Sequence, residues 1–118
     1  MVTRGSRPVW WLRRGAPLQQ LAVPQVAAID TTGAGDVFHA ALALAIGEGR
    51  AERAAVAFAA TAAALKCLGG PGVLGAPARQ AVERALPRSG VITPSLDADT
   101  ARAAASVPPR ERDAGLER

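Results

Sequence analysis

The chain has 118 residues, 49% of them apolar but only 3% aromatic, with no tyrosine and a formal net charge of +4. That length allows at most one domain, and the apolar content excludes a chain disordered throughout. The alanine-heavy composition implies a thin core, because alanine buries little area.

A single cysteine, Cys67, excludes an internal disulfide and a cysteine-built metal cluster. The longest apolar runs are too short and too alanine-rich to span a bilayer. Met1 leads into Arg and Gly rather than an apolar leader, so a reduced cytoplasmic setting with no membrane partner is expected. The charge excess falls in residues 1–86, where nine Lys or Arg face five acids; the remaining residues hold five of each. A basic body suits an anionic partner such as a nucleotide, a sugar phosphate or nucleic acid. Thirteen of the fourteen cations are Arg, which an arginine-rich coding bias would also produce. No clustered basic stripe with interleaved aromatics is present, so nucleic acid is not expected as a partner.

In chain order, Val9–Leu12 and Leu18–Val23 read as two strands of a hairpin, joined by the Arg13–Pro17 turn. Val2–Thr3 is compatible with a strand end. Trp10 and Trp11 should point to opposite faces, one packing and the other covering an edge. Val26–Ile29 is a short apolar run that stops at Asp30. After a loop at 31–35, residues 34–46 predict a helix apolar nearly all round, the pattern of a buried helix. Gly47-Glu48-Gly49 ends it. A second helix is predicted over 51–68, with alanines that permit close approach, and Gly69-Gly70-Pro71-Gly72 breaks it. A third is expected to start near Pro77 and end by Pro87. From residue 88 the apolar periodicity disappears, and 88–118 reads as a disordered tail.

The chemistry is concentrated in Asp30-Thr31-Thr32-Gly33-Ala34-Gly35-Asp36. Small residues at the mouth of an apolar helix let an anion approach backbone N–H groups that have no partner inside the helix. The helix dipole adds roughly half a positive charge there. Asp36 in the first turn would lie beside that anion, where a carboxylate can accept a proton from an attacking hydroxyl. Other phosphate motifs fail: Phe38 replaces the third glycine of a dinucleotide fingerprint, and no Gly-Lys-Ser or Gly-Lys-Thr occurs. Spacing alone also allows a capped helix with glycines for tight packing.

Asp30–Asp36 and the helix after it resemble the C-terminal signature of the ribokinase-type (PfkB) carbohydrate kinases. Val2-Thr3-Arg4-Gly5, the hairpin, the helix ending Leu65-Lys66-Cys67 and the glycine-rich loop 69–75 resemble the family in the same order. The resemblance implies an α/β fold, the C-terminal part of a ribokinase-like Rossmann-type sandwich with an edge hairpin and about three helices. Residues 1–87 would be the nucleotide-binding part and 88–118 the tail. The implied activity is transfer of phosphate from ATP to a sugar hydroxyl; the alternative is an inactive fragment that only binds nucleotide or a partner. Asp36 would be the catalytic base. Gly33, Ala34 and Gly35, with the Asp36 amide, would form the anion hole, and Thr3 and Gly5 would approach the nucleotide. Asp30 and Thr32, with carbonyls near Gly70–Gly75, resemble a monovalent-cation site for K+.

The family's sugar lid and its Asn-x-x-Glu magnesium motif have no counterpart in this sequence, so the Mg2+ ligands are expected mostly outside the chain. Pro8 stands where many members have a glycine. Without the missing strands, the helices at 34–46 and 51–68 would expose apolar faces, and a homo-oligomer is one way to cover them. His39, one turn after Asp36, is read either as a group near the substrate or as a packed or partly exposed histidine.

Overall fold

Alternation along residues 7–11 sets the sheet. The computed structural model describes residues 1–86, and the expected 88–118 tail lies outside the described residues. Three short strands, β1 (Val2–Arg4), β2 (Arg7–Trp11) and β3 (Gln19–Leu21), form an antiparallel sheet in the order β1-β2-β3. Val2 thus begins a strand of the same meander. Val9 pairs with Leu21 and Trp11 with Gln19. Side chains alternate between faces in a strand, so Val9, Trp11 and Leu21 point inward together and are buried. Trp10 faces the other way, half-buried, with the Arg4 guanidinium 4.5 Å from its ring centre. The register shifts between the Arg4–Arg7 and Val2–Trp10 pairs. Pro8 falls in that irregularity, where a residue without an N–H breaks no ladder bond.

Three α-helices follow: α1 (Ala34–Gly47), α2 (Glu52–Leu68) and α3 (Arg79–Ala85), with a 3-10 turn at Gly72–Gly75 before α3. Val26–Ile29 forms no strand. α3 begins two residues beyond Pro77, because Ala78 is still extended at ψ 148° and serves as its N-cap.

The expectation that α1 is the buried helix needs correcting. Only Phe38 and Ala45 of α1 are buried, while Leu44 and Ile46 keep 48% and 56% of their surface. The buried helix is α2, with Ala55, Val56, Phe58 through Ala62, Ala64 and Lys66 all enclosed. An apolar pattern all round reports tolerance of burial, whereas burial itself depends on what lies opposite. α2 is packed between α1, the sheet and α3, while α1 packs one face on α2.

The core has two parts. Val9, Trp11 and Leu21 of the sheet meet Phe38, Val56, Ala59 and Ala60. Ala45, Ala55, Phe58, Ala62 and Val82 form the second cluster beneath α3. Around that second cluster, Arg50 pairs with Glu83 and Arg79 with Glu48, tying the ends of α1, α2 and α3 together. Arg50 also lies over Phe58, 4.5 Å from the ring centre. No described helix is long and apolar enough to cross a membrane.

Candidate functional site

Gly33 adopts the left-handed conformation, φ 77° and ψ 3°, at the N-cap of α1. A side chain at that position would be strained, so glycine is the residue that allows the chain to turn into the helix here. The turn is closed by the Ala34 amide, which donates to the Thr31 carbonyl at 3.1 Å. The Val37 amide donates to the Gly33 carbonyl at 3.0 Å, the first full helical bond. The amides of Gly33, Gly35 and Asp36 have no protein acceptor among the described residues. The Ala34 amide, expected in the anion hole, is instead committed to the turn.

Asp36 is exposed in the first turn of α1, and its carboxylate makes no hydrogen bond or ion pair among the described residues. One turn on, His39 Nδ1 lies 2.7 Å from the Gly35 carbonyl oxygen, and its ring packs edge-on against Phe38 with centres 5.7 Å apart. A carbonyl only accepts, so this bond places the hydrogen on Nδ1. His39 is therefore a surface histidine that braces the helix mouth.

A pocket of about 300 Å3 opens beside that mouth. Thr3 and Gly5 from the β1 end border it on one side, Ala34 and Gly35 on another, and Ala63 and Cys67 of α2 on a third. The structure thus brings four of the residues singled out in the sequence, Thr3, Gly5, Ala34 and Gly35, to one cavity. Its walls are mostly apolar, with Thr3, Ser6 and Thr31 as polar residues among them, which suits a flat heterocycle joined to an anion.

Asp30 and Thr32 do something different. The Asp30 carboxylate accepts the Thr32 amide on Oδ1 at 2.9 Å, and the Gly72 amide at 2.9 Å and Lys66 Nζ at 3.1 Å on Oδ2. Lys66 Nζ also donates to the Asp30 carbonyl oxygen at 2.9 Å. The amides of Thr32 and Gly72, followed by the Thr32 side chain and Lys66, hold the Asp30 carboxyl well below the usual carboxylate range. Gly72 reaches Asp30 from a left-handed conformation, φ 54°. The glycines of this loop lie backbone against backbone: a Cβ on Gly69 would come within 2.7 Å of the Gly75 carbonyl oxygen. Lys66 was not among the expected site residues. The signal that points to it is a single cation among alanines at the end of a buried helix.

Against known proteins, residues 1–79 match the pfkB family of carbohydrate kinases. The chain belongs to that family. It is 39% identical over 87 residues to the ribokinase of Bacillus subtilis, a match covering 72% of this chain and 29% of that protein. The structure of Arabidopsis thaliana ribokinase complexed with ribose and ATP superposes with a TM-score of 0.68 at 35% identity, covering 72% of this chain and 28% of that one. Thermotoga maritima ribokinase gives a TM-score of 0.64 at 35% identity, over 68% of this chain and 27% of that one. The chain thus spans less than a third of the length of these relatives. The α/β arrangement of three strands and three helices is that of the ribokinase structures, and the family is one of sugar kinases.

Proposed function

We propose that residues 1–87 form the nucleotide-binding part of an ATP-dependent carbohydrate kinase and supply its catalytic base. What supports this reading is the mouth of α1: the amides of Gly33, Gly35 and Asp36 lie beside a pocket with no acceptor among the described residues, and the Asp36 carboxylate in the same turn is unpaired among them. In this reading the adenine and ribose of ATP lie against Thr3, Gly5 and the alanines of α2, and the phosphates run toward the helix mouth.

The sugar hydroxyl oxygen attacks the γ-phosphorus, the bond to the β-phosphate oxygen breaks, and ADP leaves. The hydroxyl proton passes to the Asp36 carboxylate. Charge on the transferring phosphoryl oxygens is met by the Gly33, Gly35 and Asp36 amides, which are already fixed in place by the helix. Among the described residues no three His, Cys, Asp or Glu side chains come together, so magnesium would be held mainly by the ATP phosphates and water, with at most one or two carboxylates.

A second reading, a module that binds nucleotide or a partner without catalysis, is favoured by the exposed apolar face of α1 at Leu44 and Ile46. Asp36→Asn tests the first. In a complete kinase polypeptide carrying this segment, turnover should fall by a factor on the order of 10^2–10^4, the usual contribution of a general base. The affinity for ATP should stay within about twofold. Undiminished turnover would remove Asp36 from the role.

A further inference from the structure

The position between Asp30, Thr32 and the 69–75 loop is the one that resembles a monovalent-cation site, and its residues do not fit such an ion. It already contains a cation. Lys66 is fully enclosed, at 0% exposure, and its Nζ lies 2.9 Å from the Asp30 carbonyl oxygen and 3.1 Å from Oδ2. An ammonium group is close in size and charge to a dehydrated potassium ion, and both oxygens it takes here belong to Asp30. The loop side gives Asp30 an N–H from Gly72 rather than a carbonyl, so the remaining capacity of Oδ2 is also used.

We propose that the Lys66 ammonium is a built-in replacement for the monovalent cation, making this segment independent of potassium. The physical consequence is positional. Lys66 at the end of α2 grips Asp30, Asp30 Oδ1 holds the Thr32 amide, and the turn at 31–33 sets the mouth of α1. The Ile29 and Asp30 amides both donate to the Cys67 carbonyl, at 2.7 and 3.3 Å, so the same segment is also anchored to the end of α2 through its backbone. A bound ion would give the same geometry only at sufficient concentration; a covalently attached cation gives it at any salt composition. Lys66 is a positioning residue in this account. The inference rests on the family membership and on this geometry, and not on the role of Asp36.

The test uses the 118-residue chain without nucleotide, so its outcome is separate from that of the kinase reading. Thermal melting is followed in potassium chloride, sodium chloride and choline chloride at equal ionic strength. The unaltered chain should melt at the same temperature in all three; a rise specific to potassium would overturn the proposal. Lys66→Ala removes the cation and leaves a hole, and its melting point should drop by more than about 10 °C in choline. Potassium should restore a substantial part of that loss. Lys66→Met fills the hole without charge, and potassium should not restore it. A folded Lys66→Ala chain indifferent to potassium would reduce Lys66 to an ordinary buried ion pair. If neither variant folds, thallium-205 NMR of the unaltered chain decides: absence of a stoichiometrically bound thallium(I) ion supports the proposal, and its presence refutes it.

Discussion

Asp30 carries more structure than its place at the head of the signature suggests. Its carboxylate is held in the charged form by the Thr32 and Gly72 amides and by Lys66, so its folded pKa lies below the unfolded one. A group of this kind contributes its full stabilisation above the unfolded value, near 4, and loses it as pH falls below that. Melting temperature should therefore drop from about pH 4 downward. The Asp30→Asn chain, destabilised at neutral pH, should close the gap with the unaltered chain over the same range. A gap constant with pH would remove Asp30 from the explanation. Two glycines of the adjoining loop should behave differently from each other. Gly72→Ala meets no atom but must hold φ near 54°, which costs roughly 1–2 kcal/mol. Gly75→Ala needs no unusual φ, yet its Cβ would collide with the Gly70 backbone, and the loop must shift, at about 1–3 kcal/mol. Denaturant titration reads both losses, and hydrogen exchange at the Gly72 amide separates conformational from steric cost, since only the second should also disturb the Gly72 bond to Asp30. At this scale the turn into α1 was legible in the sequence, because Gly33 and the small residues after it shape the backbone locally. Lys66 was not: its partner lies 36 positions away, and no local spacing reveals a contact of that range.

Among the elements, α2 bears the load that the sequence pattern appointed to α1. Phe58 is the largest apolar side chain at the junction of α1, α2 and α3, and Arg50 covers its ring. Phe58→Ala should destabilise the chain by about 3–5 kcal/mol, the usual loss for a buried phenylalanine. For a chain with so few large core residues this should abolish the cooperative thermal transition in circular dichroism. A sharp transition retained near the original midpoint would mean that the α1–α2–α3 junction is not the stability centre. Helix existence was readable from the apolar runs and the Gly47–Gly49 and Gly69–Gly72 breaks, and the β2–β3 hairpin from Val9, Trp11 and Leu21 around a Gly-Pro turn. The pairing of β1 was not, because three residues carry too little pattern. The exposure of Leu44 and Ile46 was not, because periodicity records which face is apolar and not what covers it.

Taken whole, the molecule would, on the proposed function, present one wall of a phosphoryl-transfer site. With ATP, magnesium and ribose or fructose supplied, the 118-residue chain should release no sugar-dependent ADP, since transfer needs an aligned acceptor and a site closed to water. Sugar-dependent release that disappears in Asp36→Asn would show that copies of the chain assemble a complete site. Backbone amide NMR of the chain titrated with ATP shows where the nucleotide goes. The Gly33, Gly35 and Asp36 resonances should move first and farthest, with smaller shifts at Thr3, Gly5 and Cys67 around the pocket. Shifts confined to the arginine-rich turn at Arg13–Arg14, with the helix mouth unmoved, would contradict it.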